Sequence, residues 1–132
     1  MSAAVFYPMF NNKVVEFFDD LIATFPEMAD FRQFKAGFRL LTTMDERQPQ
    51  RLFAKHVLPK YGDVLSKRDE SIFLQEGFAQ QVGAPAAEGD QWSDIIGRIQ
   101  QVWRGTSQAN KDAIWSYFQL LIALSQRCSV SS

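Results

Sequence analysis

The stretch Ala113–Gln126, AIWSYFQLLIALSQ, decides how the rest of the chain is read. It carries no charge, no proline and no glycine. Apolar residues at 113, 114, 115, 117, 118, 120, 121, 122, 123 and 124 cover every face of a helix with 3.6 residues per turn. A helix apolar on all sides has to be surrounded, by protein or by lipid. A membrane span needs about 18 to 20 apolar residues, and this run of 14 stops short. The expectation is therefore an all-α domain in which about six helices pack around a buried C-terminal helix, with no membrane span.

Working outward, Ser107 is placed to cap this helix, and Lys111 and Asp112 keep its first turn in water. Arg127 and the residues from Cys128 to Ser132 read as a polar, frayed tail. Upstream, a helix is predicted over about 91–104, capped by Asp90 or Ser93, with Trp92, Ile95, Ile96, Ile99, Val102 and Trp103 inward. Gly105 suits the left-handed position after its end. Residues 77–89, GFAQQVGAPAAEG, form an exposed loop, since glycine, proline and small residues mark turns.

In the N-terminal half, residues 1–8 read as an arm closed by Pro8. Asn11 or Asn12 then caps a first helix of about 12–24, with Val14, Phe17, Phe18, Leu21, Ile22 and Phe25 on one face and Pro26 ending it. A second helix of about 27–43 carries Phe31, Phe34, Phe38 and Leu41 inward. Pro49 suits the first turn of a third helix, which Pro59 stops. Tyr61-Gly62-Asp63 reads as a tight turn. Ser66 with Asp69 resembles a capping box that opens a short helix to about Glu76, burying Ile72 and Phe73 or Leu74. The 132 residues suit one domain spanning 1–132.

Composition narrows the function classes. The chain is 46% hydrophobic, with twelve phenylalanines and three tryptophans, so phenylalanine is the main core filler. The net charge of −1 gives no global attraction for nucleic acid or an anionic membrane. Cys128 is the sole cysteine and His56 the sole histidine, which leaves no His/Cys zinc set and no intramolecular disulfide. A reducing intracellular setting, without secretion, follows as the expectation.

Nothing pairs His56 with Cys128 as base and nucleophile, and phosphate-cradling glycine loops are missing. Asp19-Asp20, Asp45-Glu46 and Asp69-Glu70 read as solvated helix surfaces or ends. No enzyme, metal or cofactor is expected.

The charge is unevenly spread. Residues 1–31 hold one basic and five acidic residues, residues 32–68 nine and three, and residues 69–132 four and seven. Either the basic middle pairs with its acidic neighbours, or it makes an anion-binding face for an acidic protein or a nucleic acid. The nine candidates are Arg32, Lys35, Arg39, Arg47, Arg51, Lys55, Lys60, Lys67 and Arg68. Trp92, Trp103, Trp115 and Tyr117 are core residues by default, and an exposed one would anchor an interface.

Three stretches carry a resemblance. They are FFDDLIATFPE (17–27), LPKYGDVLSKRDESIFLQE (58–76), and WSDIIGRIQQVW with NKDAIWSYFQLLIALS (92–103 and 110–125). Together they resemble small helical proteins of nucleocytoplasmic large DNA viruses, those of algae and the giant viruses of protists. That group has no established activity, so the resemblance implies a viral source and a helical fold. It points to Phe25, Pro26, Tyr61, Gly62, Asp63, Lys111, Trp115, Tyr117 and Gln119. Folding accounts for Pro26, Gly62 and Trp115, and explains Asp63 and Lys111 least; a pairing of the two with each other is one simple account of them. The resulting expectation is a non-enzymatic interaction or assembly module, acting in the infected cell or the virion on a protein partner or on a second copy of itself. The alternative is a nucleic-acid-associated protein that uses the basic 32–68 face.

Overall fold

The computed structural model describes residues 5–74 and 91–130, and within these the chain is helical with no strand. Seven helices follow in order: α1 (Phe6–Thr24), α2 (Asp30–Met44), α3 (Gln48–His56), α4 (Leu58–Ser66), α5 (Ser71–Leu74), α6 (Gln91–Trp103) and α7 (Gln108–Val130). The all-α expectation holds. The loop expected at 77–89 and the proposed cap at Asp90 lie outside the described residues.

Two long helices form the spine. α1 and α7 run antiparallel: the Phe17 ring stacks on Tyr117 at 4.9 Å and meets Phe118 edge-on at 5.2 Å, and the Arg127 guanidinium lies over Phe6 at 5.6 Å. α1 buries Val14, Phe17, Phe18 and Leu21 of the expected inner face, and also Phe10, one turn ahead of it. α7 buries Ile114, Trp115, Phe118, Leu121, Ile122, Ser125 and Cys128. Its opposite face stays open, with Ser116 and Ala123 exposed and Leu120 47% exposed. The helix is thus not surrounded. α1, α3 and α4 cover one broad side of it, and a stripe of uncharged residues looks outward.

The core between these helices is largely aromatic. Phe73 from α5 sits 4.4 Å from Trp103, 5.2 Å from Trp115 and 6.4 Å from Phe118. A second group joins Phe10, Phe53 and Trp92, at 5.3 and 5.0 Å. Burying such rings removes roughly 150–250 Å² each from water, which makes them the main source of cohesion.

Several boundaries differ from the sequence expectation. Residues 6–8 are helical, so Pro8 does not close an arm. It sits in the first turn of α1, where a missing N–H leaves no bond unmade. Asn11 is therefore no cap. It lies buried inside α1, and its Nδ2 donates to the Glu46 carbonyl at 2.9 Å. α2 begins at Asp30, because residues after Pro26 first form a turn held by Met28 N–H to Phe25 O. Pro59 does not stop α3, which already ends at His56. It stands in the first turn of α4.

Tyr61, Gly62 and Asp63 are not a turn either but lie within α4. Tyr61 and Leu65, four residues apart, are both buried, and that packing overrides the turn preference of Gly-Asp. Ser66 closes α4 instead of opening the next helix. The cap of α5 is Asp69, whose Oδ1 accepts the Ser71 N–H at 3.0 Å and whose carboxyl is held below its usual pKa mainly by that bond. Ile72 and Phe73 are buried as expected. Gly105 is not left-handed. Ser107 does cap α7, its Oγ accepting the Asn110 N–H at 3.2 Å. The expected tail is helical through Val130, with Cys128 fully buried.

Gly62 supplies a clean test of the α4 assignment. A Cβ there would meet only the Leu58 side chain, at 3.7 Å, an ordinary contact. Gly62→Ala should raise the unfolding free energy by about 0.5–1 kcal/mol in a denaturant titration. A loss instead would mean that the segment needs glycine's freedom, as a turn would.

Candidate interaction surface

The nine basic candidates are not gathered into one bare face. Lys35 pairs with Asp19 on α1 at 2.5 Å, Arg51 with Asp45 at 4.0 Å, Lys67 with Asp63 at 3.1 Å, and Arg68 with Asp112 on α7 at 3.7 Å. Arg32 donates to the Pro26 carbonyl at 3.2 Å, and the Arg47 guanidinium stacks 5.3 Å from the Tyr7 ring centre. Arg39, Lys55 and Lys60 are exposed and make no ion pair among the described residues. The four pairs are solvent-exposed, so each contributes about 0–1 kcal/mol. Their effect on the surface is larger: they cancel much of the positive field that the sequence suggested.

Arg68 has a role that its charge did not disclose. It is the only described non-glycine residue with positive φ, at 53°. Arg68 N–H donates to Leu65 O and Asp69 N–H to Val64 O, the paired bonds of a Schellman stop with arginine in the usual glycine position. The side chain then bridges to α7, giving Nη2 to Gln119 Oε1 at 3.2 Å and to Ser116 Oγ at 3.3 Å. Gln119 in turn donates Nε2 to the Ser66 carbonyl at 2.9 Å. This clamp ties the end of α4 to α7 and offsets the cost of a left-handed arginine, about 1–2 kcal/mol.

The residues singled out by resemblance are mostly absorbed by the fold. Phe25, Tyr61 and Trp115 are buried, and Pro26 is exposed with its carbonyl bonded to Arg32. Asp63 and Lys111 do not pair with each other. Asp63 takes Lys67 one turn along α4, while Lys111 reaches Glu70 at 3.9 Å and lies over the Trp103 ring at 5.4 Å. Tyr117 packs on Phe17 beside a row of α1 carboxylates. Burial raises its pKa, and nearby Asp20 and Glu16 add to the rise.

Among groups that could do chemistry, Cys128 is sealed, and burial pushes its thiol pKa up. The thiolate is the reactive form, so a thiol reagent at about pH 8 should leave the folded protein unlabelled and react fully in denaturant. Rapid labelling in native buffer would show that the last turns of α7 open. His56 is 9% exposed at the end of α3. No group of three or more His, Cys, Asp or Glu converges as a metal site among the described residues. A pocket between α1, α2, α3 and α6, lined by Phe18, Phe38, Leu41, Leu52, Trp92 and Ile95, measures about 10 Å³. That is room for about one water molecule. No described helix is long and apolar enough to cross a membrane.

The surface feature missed by sequence reading is apolar. Leu40 and Met44 on α2 are 65% and 77% exposed, the highest of any large hydrophobic residues described. They follow Ala36 at intervals of four, one row on a helix. In the sequence this second row merges with the inward stripe of Phe31, Phe34, Phe38 and Leu41. No family model matches the chain, and neither a curated protein nor a solved structure does so.

Proposed function

We propose that the chain is a non-enzymatic protein–protein interaction or assembly module and, following the resemblance, that a large DNA virus uses it inside the infected cell or in the virion. The observation that carries the reading is the outward placement of large apolar side chains on helix exteriors. Val5, Met9, Leu40, Met44 and Leu120 all stand in solvent, while the groups suited to chemistry are engaged in caps, clamps and core. Exposed apolar rows are where partners gain contact free energy. The partner is a protein, with a second copy of the chain as one candidate.

Light scattering on the purified protein and affinity capture from infected cells test this. Self-association, or a captured partner that is released by charge substitutions on these exteriors, supports the reading. A strict monomer that captures nothing removes it.

A nucleic-acid role rests on Arg39, Lys55 and Lys60, whose charges have no acid partner among the described residues. It predicts retardation of DNA or RNA that weakens steeply with salt, and no retardation at about 50 mM salt ends it.

A further inference from the structure

We infer that the outer face of α2 is the docking surface for an acidic amphipathic helix of a protein partner. This rests on the reading of the chain as an interaction module and names the face and the partner chemistry.

α2 buries Phe31 and Phe38 against its neighbours and leaves Arg32, Gln33, Ala36, Arg39, Leu40, Thr43 and Met44 exposed. On a helix, residues seven apart lie almost in line, so Arg32 and Arg39 share one edge of this face. Leu40 and Met44 run along the other edge, with Ala36 between the two. The face is thus half apolar and half cationic.

It also lacks any acid of its own. Asp30 at the start of the helix is engaged by Arg98 at 2.6 Å, and Asp45 just past its end accepts the Arg47 N–H and faces Arg51. The one other base of α2, Lys35, is neutralised by Asp19. Two positive charges therefore remain beside an apolar row.

Charge decides the occupant. An antiparallel two-fold dimer through α2 would set the Arg32–Arg39 edges of both copies against each other, and a parallel one would set each arginine edge against the apolar edge of the other copy, so neither arrangement satisfies both edges. The chain's own acidic helix, α1, already has Glu16 paired with Lys13 and Asp19 with Lys35, so a second copy offers little free acidity there. A nucleic-acid backbone would answer the arginines but leave Leu40 and Met44 uncovered. A helix with Asp or Glu beside a Leu, Met or Phe row satisfies both edges, as grooves for amphipathic helices commonly do.

Gly37 agrees with this assignment. It sits inside α2, where glycine weakens a helix, yet a Cβ there would meet nothing within 4 Å. The fold itself does not require glycine at this place. Gly37 borders Leu40 on the surface and leaves a notch where a crossing helix can come close.

The test pans a displayed library of amphipathic helical peptides, about as long as α2, on the full chain. Enriched peptides are expected to carry acids along one side of an apolar row. They should bind at least about tenfold more weakly to Leu40→Glu and to Arg39→Glu, losses typical of central interface residues. Gly37→Ala should melt at a higher temperature than the parent and still bind the same peptides more weakly, a combination that damage to folding cannot produce.

Failure to enrich acidic sequences overturns the inference. Binders unaffected by Leu40→Glu and Arg39→Glu overturn it while leaving the module reading intact, since another face then makes the contact. A dimer dissolved by Leu40→Glu overturns it by making a second copy the occupant. Retardation of RNA abolished by Arg39→Glu, in the absence of acidic-peptide binding, overturns both readings together.

Discussion

Phe118→Ala is expected to lower the unfolding free energy by about 3–5 kcal/mol, a large part of the 5–15 kcal/mol typical of a whole domain. Phe118 is fully buried at the meeting point of the spine and the aromatic cluster, touching Phe17 from α1 at 5.2 Å and Phe73 from α5 at 6.4 Å. Truncation leaves a void lined by rigid rings, which cannot collapse easily to fill it. The midpoint of thermal unfolding should fall by roughly 10–20 °C for a domain of this size. The outward-facing control, Leu120→Ala, should move stability by no more than about 0.5 kcal/mol. Equal losses at the two positions would refute the half-open placement of α7.

The second large effect concerns a polar contact in the core. Gln50 on α3, 3% exposed, donates Nε2 to Ser125 Oγ at 2.8 Å and to the Ser125 carbonyl at 3.3 Å. The two residues are 75 positions apart, so the contact joins α3 to α7. Removing one member of a buried pair costs the desolvation of the other, about 1–3 kcal/mol. Ser125→Ala strips the Gln50 amide of its hydroxyl acceptor, and Gln50→Leu takes a donor from Ser125. The double variant should recover part of the combined loss, a coupling of about 0.5–3 kcal/mol in a double-mutant cycle. Strict additivity would mean that the pair is incidental.

Much of the architecture could be read from periodicity. Most of the α1 and α6 stripes is buried as their spacing implied, and of the α2 stripe Phe31 and Phe38 are, because a row of large apolar residues every three or four positions has few other stable outcomes. Punctuation was less legible. Pro8 and Pro59 read as terminators in the sequence, yet both stand in first turns, since proline breaks a helix only where an N–H is needed. Gly62 and Asp63 carried a turn signal that the burial of Tyr61 and Leu65 overruled. The C-terminal residues read as polar, yet Cys128 continues the inward row of α7.

The candidate surface was less readable than the fold. A run of bases along the chain says how many positive charges there are, not which of them will meet an acid from another helix. Asp19 and Asp112 lie 16 and 44 positions from the bases they neutralise. Leu40 and Met44 were obscured for a different reason: in a helix rich in apolar residues, one row is expected, and a second row merges with it until the core is seen.

The antiparallel match of α1 with α7 has a bearing on how the chain is made. Of the described helices, the one nearest the N-terminus finds its main packing partner in the one nearest the C-terminus. Until α7 has left the ribosome, the Phe17 ring has neither Tyr117 nor Phe118 to rest against. Completion of this core therefore waits for α7 to emerge, and a ribosome stalled before about residue 118 would present a sticky, half-built intermediate to chaperones.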